Sequence, residues 1–406
     1  MRAVGRTVTE ALPPDVRRVL LARSLRAFGD GYVAILLPVH LSLLGFDTLA
    51  VGAISTATLL GSALLTISLG LTAHRVRRRV ALLAACVVMA ATGFAFVAVE
   101  SFAPLLIIAF VGTLNPSSGD VSVFLPLEHT VLAEAAPGAQ RTAVFARYAF
   151  AGSVVSAVGA LGAGAVDWLK PVLEPRTTID LLFAFYGALG LASFALYRGL
   201  SPAAEGKVEA PAAPLGPSRG QVYGLAALFS LDAFGGGFVV NSLLALWLFA
   251  RFGLDIATAG TIFFVTGLCS AVSYFAAVPL ARRFGLVNTM VFTHLPANLF
   301  LVLAAFAPSL WLVFLLLVCR SLLSQMDVPT RSAYVMAIVT PPERPAAASL
   351  TAVPRSLASA LAPLLSGWLL GLSSFGWPLI IAGSLKAIYD LALLWRFAGV
   401  KPPDEA

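Results

Sequence analysis

The sequence has few charged residues, few cysteines and almost no lysine. Only 12% of its 406 residues are Asp, Glu, Lys or Arg, whereas 59% are hydrophobic. An ordinary soluble domain carries about 25% charged residues, so this composition excludes a typical soluble enzyme and also excludes intrinsic disorder. The cysteines Cys86, Cys269 and Cys319 lie in apolar runs and show no disulfide or metal spacing. A protein that crosses the membrane several times is the class that remains.

The sequence also lacks the motifs that many enzymes and metal sites require. It contains no GxxxxGK[ST] loop for ATP and no HExxH or paired Cys/His spacing for a metal ion. The first eighteen residues are polar, which argues against a cleaved signal peptide. We therefore expect no enzymatic activity, no cofactor and no metal, and an N-terminus in the cytoplasm.

Apolar runs long enough to cross a membrane occupy most of the chain. A spanning helix needs about 20 mostly apolar residues, and Pro and Gly mark the ends of the runs. The sequence predicts twelve spans at residues 18–44, 48–73, 80–99, 103–133, 142–166, 178–198, 221–250, 256–281, 286–306, 309–338, 345–371 and 376–397. The fourth and tenth spans are long, so their last turns are expected to extend beyond the bilayer.

A polar stretch rich in Pro, Gly and Ala divides these spans into two sets of six. The fold class we predict is an all-α membrane protein with twelve transmembrane helices in two pseudo-symmetric six-helix bundles. The predicted divisions are a cytoplasmic tail at 1–17, a first bundle at 18–198, a cytoplasmic linker at 199–220, a second bundle at 221–397 and a tail at 398–406.

The two halves resemble each other in sequence. Three pairs of segments match in order, at offsets of 206, 203 and 209 residues: Leu25–Val33 with Leu231–Val239, Pro126–Glu128 with Pro329–Arg331, and Thr142–Val144 with Thr351–Val353. One such match would be weak, but three at nearly one offset indicate an internal repeat. Repeats in a membrane chain are typical of transporters, whose binding site lies between the halves near the midplane.

The loop after the second span carries a resemblance to a known family. Residues Gly70 to Arg79 read GLTAHRVRRR and resemble the Gly-x-x-x-Asp-Arg-x-Gly-Arg-Arg/Lys loop of the major facilitator superfamily, in which Arg75 matches the first Arg. His74 stands at the family's Asp position and Arg77 at its second Gly. The resemblance implies a secondary transporter of two bundles working by alternating access.

Two further loops extend the resemblance. The loop after the eighth span is the second-half copy, with Arg283 and Gly285 at matching positions. Glu134 and Arg141 are similar to the family's Glu-x6-Arg element, and Arg344 remains in the second-half copy. Gly permits close helix approach, and Arg can reach a carboxylate or a helix C-terminus and so latch one conformation. The alternative is that the arginines of the first loop only anchor it in the cytoplasm.

The position of the positive charge predicts the orientation. Seventeen of the 27 basic residues fall on the side of the termini, and three fall on the opposite side. This positive-inside bias predicts that both termini lie in the cytoplasm, and we expect the protein in the cytoplasmic membrane. The net charge of +7 is therefore a topology signal and does not indicate a nucleic-acid partner.

Ionisable residues inside the spans are candidates for function, because a charge at membrane depth costs about 2.5–3.5 kcal/mol. Arg23, Arg26 and Asp30 share one face of the first span, and Asp30 lies roughly 18 Å deep. Asp30 is expected to carry a proton; the alternative is a permanent Arg26–Asp30 ion pair. The predicted substrate or proton site consists of Arg26, Asp30, Asp120, Asp232 and Arg320.

A second group of charges predicts a cytoplasmic gate. Glu128 and Arg331 occupy equivalent places in the two halves with opposite sign, so they are expected to form a bridge between the halves. Asp327 can pair with Arg331 four residues later. Arg147 and Arg355 would complete the gate, and the alternative for Arg331 and Arg355 is snorkelling to phosphates.

Other ionisable residues receive structural interpretations. Lys386 and Asp390 are four residues apart on the last span and are expected to pair with each other. His129, beside Glu128, is interpreted as an interfacial histidine. The remaining histidines are scattered and suggest no site.

The function we predict is alternating-access transport of a small organic solute, as proton-coupled efflux. The surplus of intramembrane Arg favours an anionic or zwitterionic substrate. The alternatives are a uniporter, a proton symporter that imports such a metabolite, or a receptor without transport activity on a transporter fold. The expected partners are the solute, protons and the lipid bilayer, with no nucleic acid, and we expect a monomer.

Overall fold

The computed structural model describes residues 12–72, 77–117, 122–136, 138–205 and 215–400. In this part of the chain the regular structure is helical, with no strand. The helices are, in chain order, α1 (Pro14–Leu43), α2 (Thr48–Thr72), α3 (Arg78–Ala98), α4 (Phe102–Val111), α5 (Phe124–Ala135), α6 (Gly138–Gly162), α7 (Ala165–Trp168), α8 (Pro175–Arg198), α9 (Arg219–Gly237), α10 (Asn241–Phe252), α11 (Ile256–Phe284), α12 (Leu286–Phe306), α13 (Leu310–Leu323), α14 (Asp327–Ile338), α15 (Arg344–Leu372) and α16 (Trp377–Phe397). The all-α prediction is confirmed.

Each predicted span corresponds to one helix or to two consecutive helices. Ten segments of the described chain are long and apolar enough to cross a membrane. The other two predicted spans are α1, which carries several ionisable residues, and the pair α4 and α5, of which α4 is only ten residues long. The linker contains a short 3-10 turn at Pro202–Glu205, and its residues 206–214 lie outside the described chain.

The fourth and tenth spans are broken helices, at matching places in the two halves. α4 ends at Val111 before α5 begins at Phe124, and α13 ends at Leu323 before α14 begins at Asp327. The extra length of these spans therefore includes an internal break, and the expected extension of their last turns beyond the bilayer stays a prediction. The seventh span is also divided, where the glycines Gly235–Gly237 end α9, because glycine lowers helix stability by about 1 kcal/mol relative to alanine.

Glycines allow the central helices of each half to pack backbone against backbone. A Cβ on Gly31 of α1 would lie 2.1 Å from the Ser156 carbonyl oxygen of α6. A Cβ on Gly237 of α9 would lie 2.3 Å from the Ser359 carbonyl oxygen of α15. These two glycines are 206 residues apart, the offset of the sequence repeat. The repeat therefore preserves a close backbone contact between helices in each half.

Matching N-caps begin the second long helix of each half. Asp47 Oδ1 accepts a hydrogen bond of 2.8 Å from the Ala50 amide ahead of α2. Asp255 Oδ1 accepts one of 2.6 Å from the Thr258 amide ahead of α11. Hydrogen bonds from Thr258 hold the pKa of Asp255 below its ordinary value. Carboxylates satisfy the free amides of a helix N-terminus, so both helix starts are fixed.

The two halves meet along two helix pairs, α2 with α15 and α6 with α11. Thr48 Oγ1 donates to the Gly367 carbonyl at 2.8 Å, and a Cβ on Gly52 would lie 2.5 Å from the Pro363 carbonyl oxygen. The Ala257 amide donates to Asp167 at 2.7 Å. In the described chain, the hydrogen bonds that join the halves lie towards the face opposite the chain ends.

Candidate functional site

A buried ion pair joins the first and fourth spans of the N-terminal half. Arg26 Nη2 donates to Glu128 Oε2 at 2.5 Å, and the side chains of Arg26 and Glu128 are 4% and 0% exposed. Tyr148 donates to Oε2 at 2.7 Å and Tyr197 donates to Oε1 at 2.6 Å. Arg26 also donates to the Tyr197 hydroxyl, and its guanidinium lies 4.0 Å from the centre of the Phe124 ring. Both members of the pair therefore make further contacts with neighbouring aromatic side chains.

Asp30 lies one turn beyond Arg26 on α1 but is not its partner. Asp30 is 7% exposed and lies beside the side chains of Asn115 and Tyr186, within hydrogen-bonding reach of both. The alternative of an Arg26–Asp30 ion pair is therefore wrong, because the fourth span places Glu128 against Arg26. Asp120, which the sequence assigned to the same site, lies outside the described residues.

The C-terminal half has a buried ion pair at the equivalent position. Asp232 of α9 accepts from Arg331 through Oδ2 at 2.9 Å and from Lys386 through Oδ1 at 2.7 Å. Arg331 also donates to Asp327, four residues earlier on α14, as the spacing predicted. Lys386 binds Asp232 and not Asp390, so the predicted i,i+4 pair on the last span is wrong. The neighbouring helix α9 supplies a better-placed carboxylate than the next turn of α16.

The carboxylate of Asp390 instead contacts a histidine and an asparagine. His294 Nδ1 lies 2.9 Å from Asp390 Oδ1, and Asn298 Nδ2 donates to Asp390 Oδ2 at 2.8 Å. The second nitrogen of the ring, Nε2, lies 3.8 Å from Oδ1 of Asp232. The three residues are at most 5% exposed. This cluster, which we call the His294 triad, consists of His294, Asn298 and Asp390, and it adjoins the Asp232 ion pair.

Arg320 differs from the paired arginines. It lies ten residues, or about 15 Å, along α13 from Leu310, near the middle of a bilayer. Among the described residues it makes no ion pair or hydrogen bond through its side chain, and its Nε is buried without a partner. Trp311, Leu315 and Leu322 form the exposed stripe of α13, and Arg320 is two and a half turns from Trp311, so it projects from the opposite face.

The predicted bridge between Glu128 and Arg331 does not form in this conformation. Each residue pairs inside its own half, Glu128 with Arg26 and Arg331 with Asp232. Arg147 and Arg355, which were expected to complete the gate, are exposed on α6 and α15. Glu128 and Arg331, which the sequence placed at a cytoplasmic gate, therefore hold helices of their own half together.

The loop after the second span contacts its own half. Arg78 Nη1 donates to Glu134 Oε1 at 2.5 Å, which joins α3 to the end of α5. Arg79 donates to the Arg198 carbonyl at the end of α8. Arg75 lies outside the described residues. Glu134 and Arg79 thus make contacts of the kind that the latch hypothesis requires, and their effect on transport stays a prediction.

The other residues of the predicted latch make fewer side-chain contacts. A Cβ on Gly70 would meet no atom within 4 Å, whereas Gly285 has a φ of +83°, which favours glycine. Arg344 Nε donates to a carbonyl of α14 at 3.1 Å. Arg283 lies over the ring that follows it in sequence, at 5.3 Å. The side chain of Arg141 lies outside the described part of the chain.

Two pseudo-symmetric helical halves, with buried charges at matching depths and an unpaired arginine near the midplane, define a secondary transporter of the membrane. A family profile of the Major Facilitator Superfamily matches residues 19–231 and 222–406. The chain belongs to this superfamily, and its function is transmembrane transport.

Several known proteins are similar to this chain along nearly its whole length. The uncharacterized membrane protein YJR124C of Saccharomyces cerevisiae is 26% identical over 95% of this chain and 94% of its own. A solved bacterial homologue of the human lysosomal transporter Spinster, inward-facing and unoccupied, is 15% identical with a TM-score of 0.67, over 93% of this chain and 96% of its own.

Two further solved transporters share the fold. The nucleoside transporter NupG is 14% identical with a TM-score of 0.72, and the match covers 94% of this chain and 99% of NupG. The human organic anion transporter MFSD10 is 17% identical with a TM-score of 0.63, over 94% and 99% of the two chains. At these identities the likeness concerns the fold alone.

Proposed function

We propose that this protein transports a small organic anion by alternating access, and that Arg320 supplies the charge that binds the anion. The observation that carries the proposal is the unpaired guanidinium near mid-depth on α13, with its Nε buried and without a partner. A guanidinium presents five N–H donors in a planar fork that matches carboxylate and phosphate groups. An ionisable residue at this depth that has no partner in the protein is a natural ligand for a charged substrate.

Three of the other buried cations of the described spans are already paired, which favours Arg320, and buried Arg23 lies over the Tyr148 ring at 5.3 Å. Arg26 is engaged by Glu128, and Arg331 and Lys386 are engaged by Asp232. Asp232 also lies near enough to Arg320 for its charge to act on that side chain. A carboxylate that is already bound to two cations leaves Arg320 only partly compensated. An anion with one or two negative charges would neutralise the remaining positive charge of Arg320.

The contacts between the halves support alternating access. Thr48, Ser55 and Asp167 make hydrogen bonds across the interface towards the face opposite the chain ends. The charged networks, in contrast, stay inside each half and make each half a rigid body. We propose that the protein resides in the cytoplasmic membrane with both termini inside, acts as a monomer, and is open to the cytoplasm in this conformation.

Protons are the coupling ion that we propose. Of the proton-coupled modes that the sequence left open, uptake of the anion together with protons fits an arginine site better than efflux in exchange for protons, because a proton offsets the charge that the anion brings into a low-dielectric site. Efflux in exchange for protons is the alternative, and it requires protons and anion to compete for the site.

The experiment that tests the proposal is a thermal-shift screen of the purified protein with small mono- and dicarboxylates, organic phosphates and their neutral amides. A ligand that binds the folded state stabilises it, by about 2.7 kcal/mol at a hundredfold excess over its Kd. We expect stabilisation by one or more anions and none by the neutral analogues. Arg320→Gln should lose about 1.5–3 kcal/mol of binding, or roughly 10- to 100-fold in affinity.

Arg219→Gln is the matched control, because Arg219 is exposed at the start of α9 and its replacement removes the same charge far from the site. Equal anion responses in Arg320→Gln and in the wild type would contradict the proposal. Binding without flux in proteoliposomes would instead favour the receptor interpretation.

A further inference from the structure

The hydrogen bonds of the His294 triad leave one ring nitrogen able to take a proton. Asp390 accepts a hydrogen bond from the Asn298 amide and lies 2.9 Å from His294 Nδ1. A carboxylate accepts hydrogen bonds, so Nδ1 carries the hydrogen and Nε2 holds the free lone pair. Nε2 lies 3.8 Å from Asp232 Oδ1. A proton added to Nε2 would therefore place an imidazolium between two carboxylates.

The N-terminal half has no such group at the equivalent place. α3 and α12 begin 208 residues apart and end 208 residues apart, so His294 corresponds to Cys86 and Asn298 to Ala90. In that half Gly190 packs against Cys86 and Ala90, as Asp390 packs against His294 and Asn298. Small apolar side chains therefore satisfy the packing at this position. The triad adds ionisable chemistry that the fold itself does not require.

The charged and titratable groups around His294 come from four other helices. They are Asp232 on α9, Asp327 and Arg331 on α14, Arg320 on α13, and Lys386, Tyr389 and Asp390 on α16, with the neutral Asn298 on α12 itself. With His294 neutral, three carboxylates face three cations, of which Arg320 is the one without an ion pair. These six charges therefore sum to zero only as long as no charged ligand is bound at Arg320.

An anion bound at Arg320 would disturb this balance. It would neutralise one of the three cations and leave the buried group with a net negative charge, which is unfavourable in a low-dielectric interior. One proton on His294 would restore neutrality. Asp232 and Asp327 are less suited to take this proton, because Asp232 already binds two cations and Asp327 binds Arg331. Asp390 belongs to the triad itself and shares a hydrogen bond with the His294 ring.

We propose that the His294 triad is the proton-binding site of the transporter, and that one proton bound there stabilises one anion bound at Arg320. This inference rests on the proposed anion site. It assigns the coupling to the C-terminal half, whereas the sequence pointed to Asp30 of the N-terminal half. It also makes anion and proton binding mutually reinforcing, as symport requires, since coupling between two ligands is reciprocal.

The proton site can be tested without any substrate. Protein labelled with ¹⁵N-histidine is titrated between about pH 5 and about pH 8, the range in which histidines change charge. We expect a ring signal that titrates, disappears in His294→Gln and changes its midpoint in Asp390→Asn. His129→Gln is the matched control, a histidine of the N-terminal half, and should leave that signal in place. A His294 signal that stays constant over this range would overturn the proposal.

The coupling is tested with the carboxylate that gives the largest thermal shift in the wild type. We expect this anion to bind about tenfold more tightly at about pH 5 than at about pH 8, and His294→Gln to bind it equally at both. Loss of binding in Arg320→Gln together with an unchanged pH dependence in His294→Gln would refute the proton site alone. Equal binding by wild type and Arg320→Gln would refute the anion site, whatever the histidine titration shows.

Discussion

The two halves of the protein hold a buried ion pair at the same position with the charges exchanged. In the N-terminal half the first span supplies the cation Arg26 and the fourth supplies the carboxylate Glu128. In the C-terminal half the seventh span supplies the carboxylate Asp232 and the tenth supplies the cation Arg331. Both copies of the repeat therefore have an ion pair between two central helices, but the helix that carries the positive charge differs between the copies. The pair serves each half as a helix-to-helix bond.

The surroundings of the two pairs differ more than the pairs themselves. Tyrosines complete the N-terminal pair, since Tyr148 and Tyr197 both donate to Glu128. Charged and titratable groups surround the C-terminal pair, with Lys386 on Asp232 and the His294 triad next to it. In the first arrangement tyrosines contact the pair, whereas the second places His294 next to it, where we propose that a proton binds. Under the proposed function, the N-terminal half serves as a rigid frame and the C-terminal half carries the coupling chemistry.

The largest effect should follow from breaking the N-terminal pair. Glu128→Gln leaves Arg26 charged and buried with no carboxylate, which should destabilise the protein by about 3–5 kcal/mol and lower the midpoint of thermal unfolding of the purified protein. The double variant Arg26→Met, Glu128→Leu should recover most of this loss, because a buried pair replaced by apolar groups is often neutral. A single variant as stable as the wild type would show that the pair contributes little.

The same change in the other half should cost less. Asp232→Asn leaves Arg331 paired with Asp327, so we expect a loss of about 1–3 kcal/mol. The two single variants, Glu128→Gln and Asp232→Asn, are compared in the same unfolding assay. If Asp232→Asn were the more damaging of the two, the C-terminal half would be the rigid one and the comparison would be reversed.

Substitution of the closely packed glycine of each half should destabilise the protein by a similar amount. Gly31→Ala and Gly237→Ala each place a Cβ against a backbone carbonyl of the facing helix, and we expect each to cost about 1–3 kcal/mol. Gly70→Ala is the control, since its Cβ meets nothing within 4 Å and should change stability by no more than about 0.5 kcal/mol. Losses that differ widely between Gly31→Ala and Gly237→Ala would argue against equivalent packing.

The helix caps should give the smallest matched effect. Asp47→Ala and Asp255→Ala each remove an N-cap and should cost about 1 kcal/mol, measured as the shift in unfolding midpoint. Because the folded state lowers the pKa of Asp255, its contribution is complete above the ordinary value of about 3.9 and falls as the pH drops through the lower folded value. An Asp255→Ala loss that persists unchanged in strong acid would contradict this origin.

The sequence predicted the helices better than their internal breaks. Each of the twelve apolar runs corresponds to a helix or a helix pair, because apolar length alone identifies a span. The break at Gly235–Gly237 was not predicted, since three glycines in an apolar run are compatible with a packed helix as well as with a bend. The gaps after Val111 and Leu323 carried no stronger signal than extra length.

The ion-pair partners were predicted less well than the residues that form them. Spacing along one helix shows which side chains share a face, and this identified Asp327 and Arg331 correctly. It could not show that Glu128 lies against Arg26 or that Asp232 lies against Lys386, because those partners come from other helices.

His294, Asn298, Tyr148 and Tyr197 were missed as members of the buried networks. A single histidine, an asparagine and two tyrosines in apolar runs are usually satisfied core residues. One signal was available: the repeat places a histidine where the first half has Cys86. The exposed arginines Arg147 and Arg355 show the reverse case, where a charge that the sequence placed inside a span lies at the surface of its helix.

The most direct test of the account is anion accumulation in proteoliposomes under a pH gradient, with the carboxylate that binds best. With acid outside, the wild type should concentrate the anion inside the vesicles, Arg320→Gln should transport none, and His294→Gln should equilibrate the anion without concentrating it. Accumulation by Arg320→Gln equal to that of the wild type, or accumulation that requires acid inside, would contradict anion binding at Arg320 coupled to a proton in the C-terminal half.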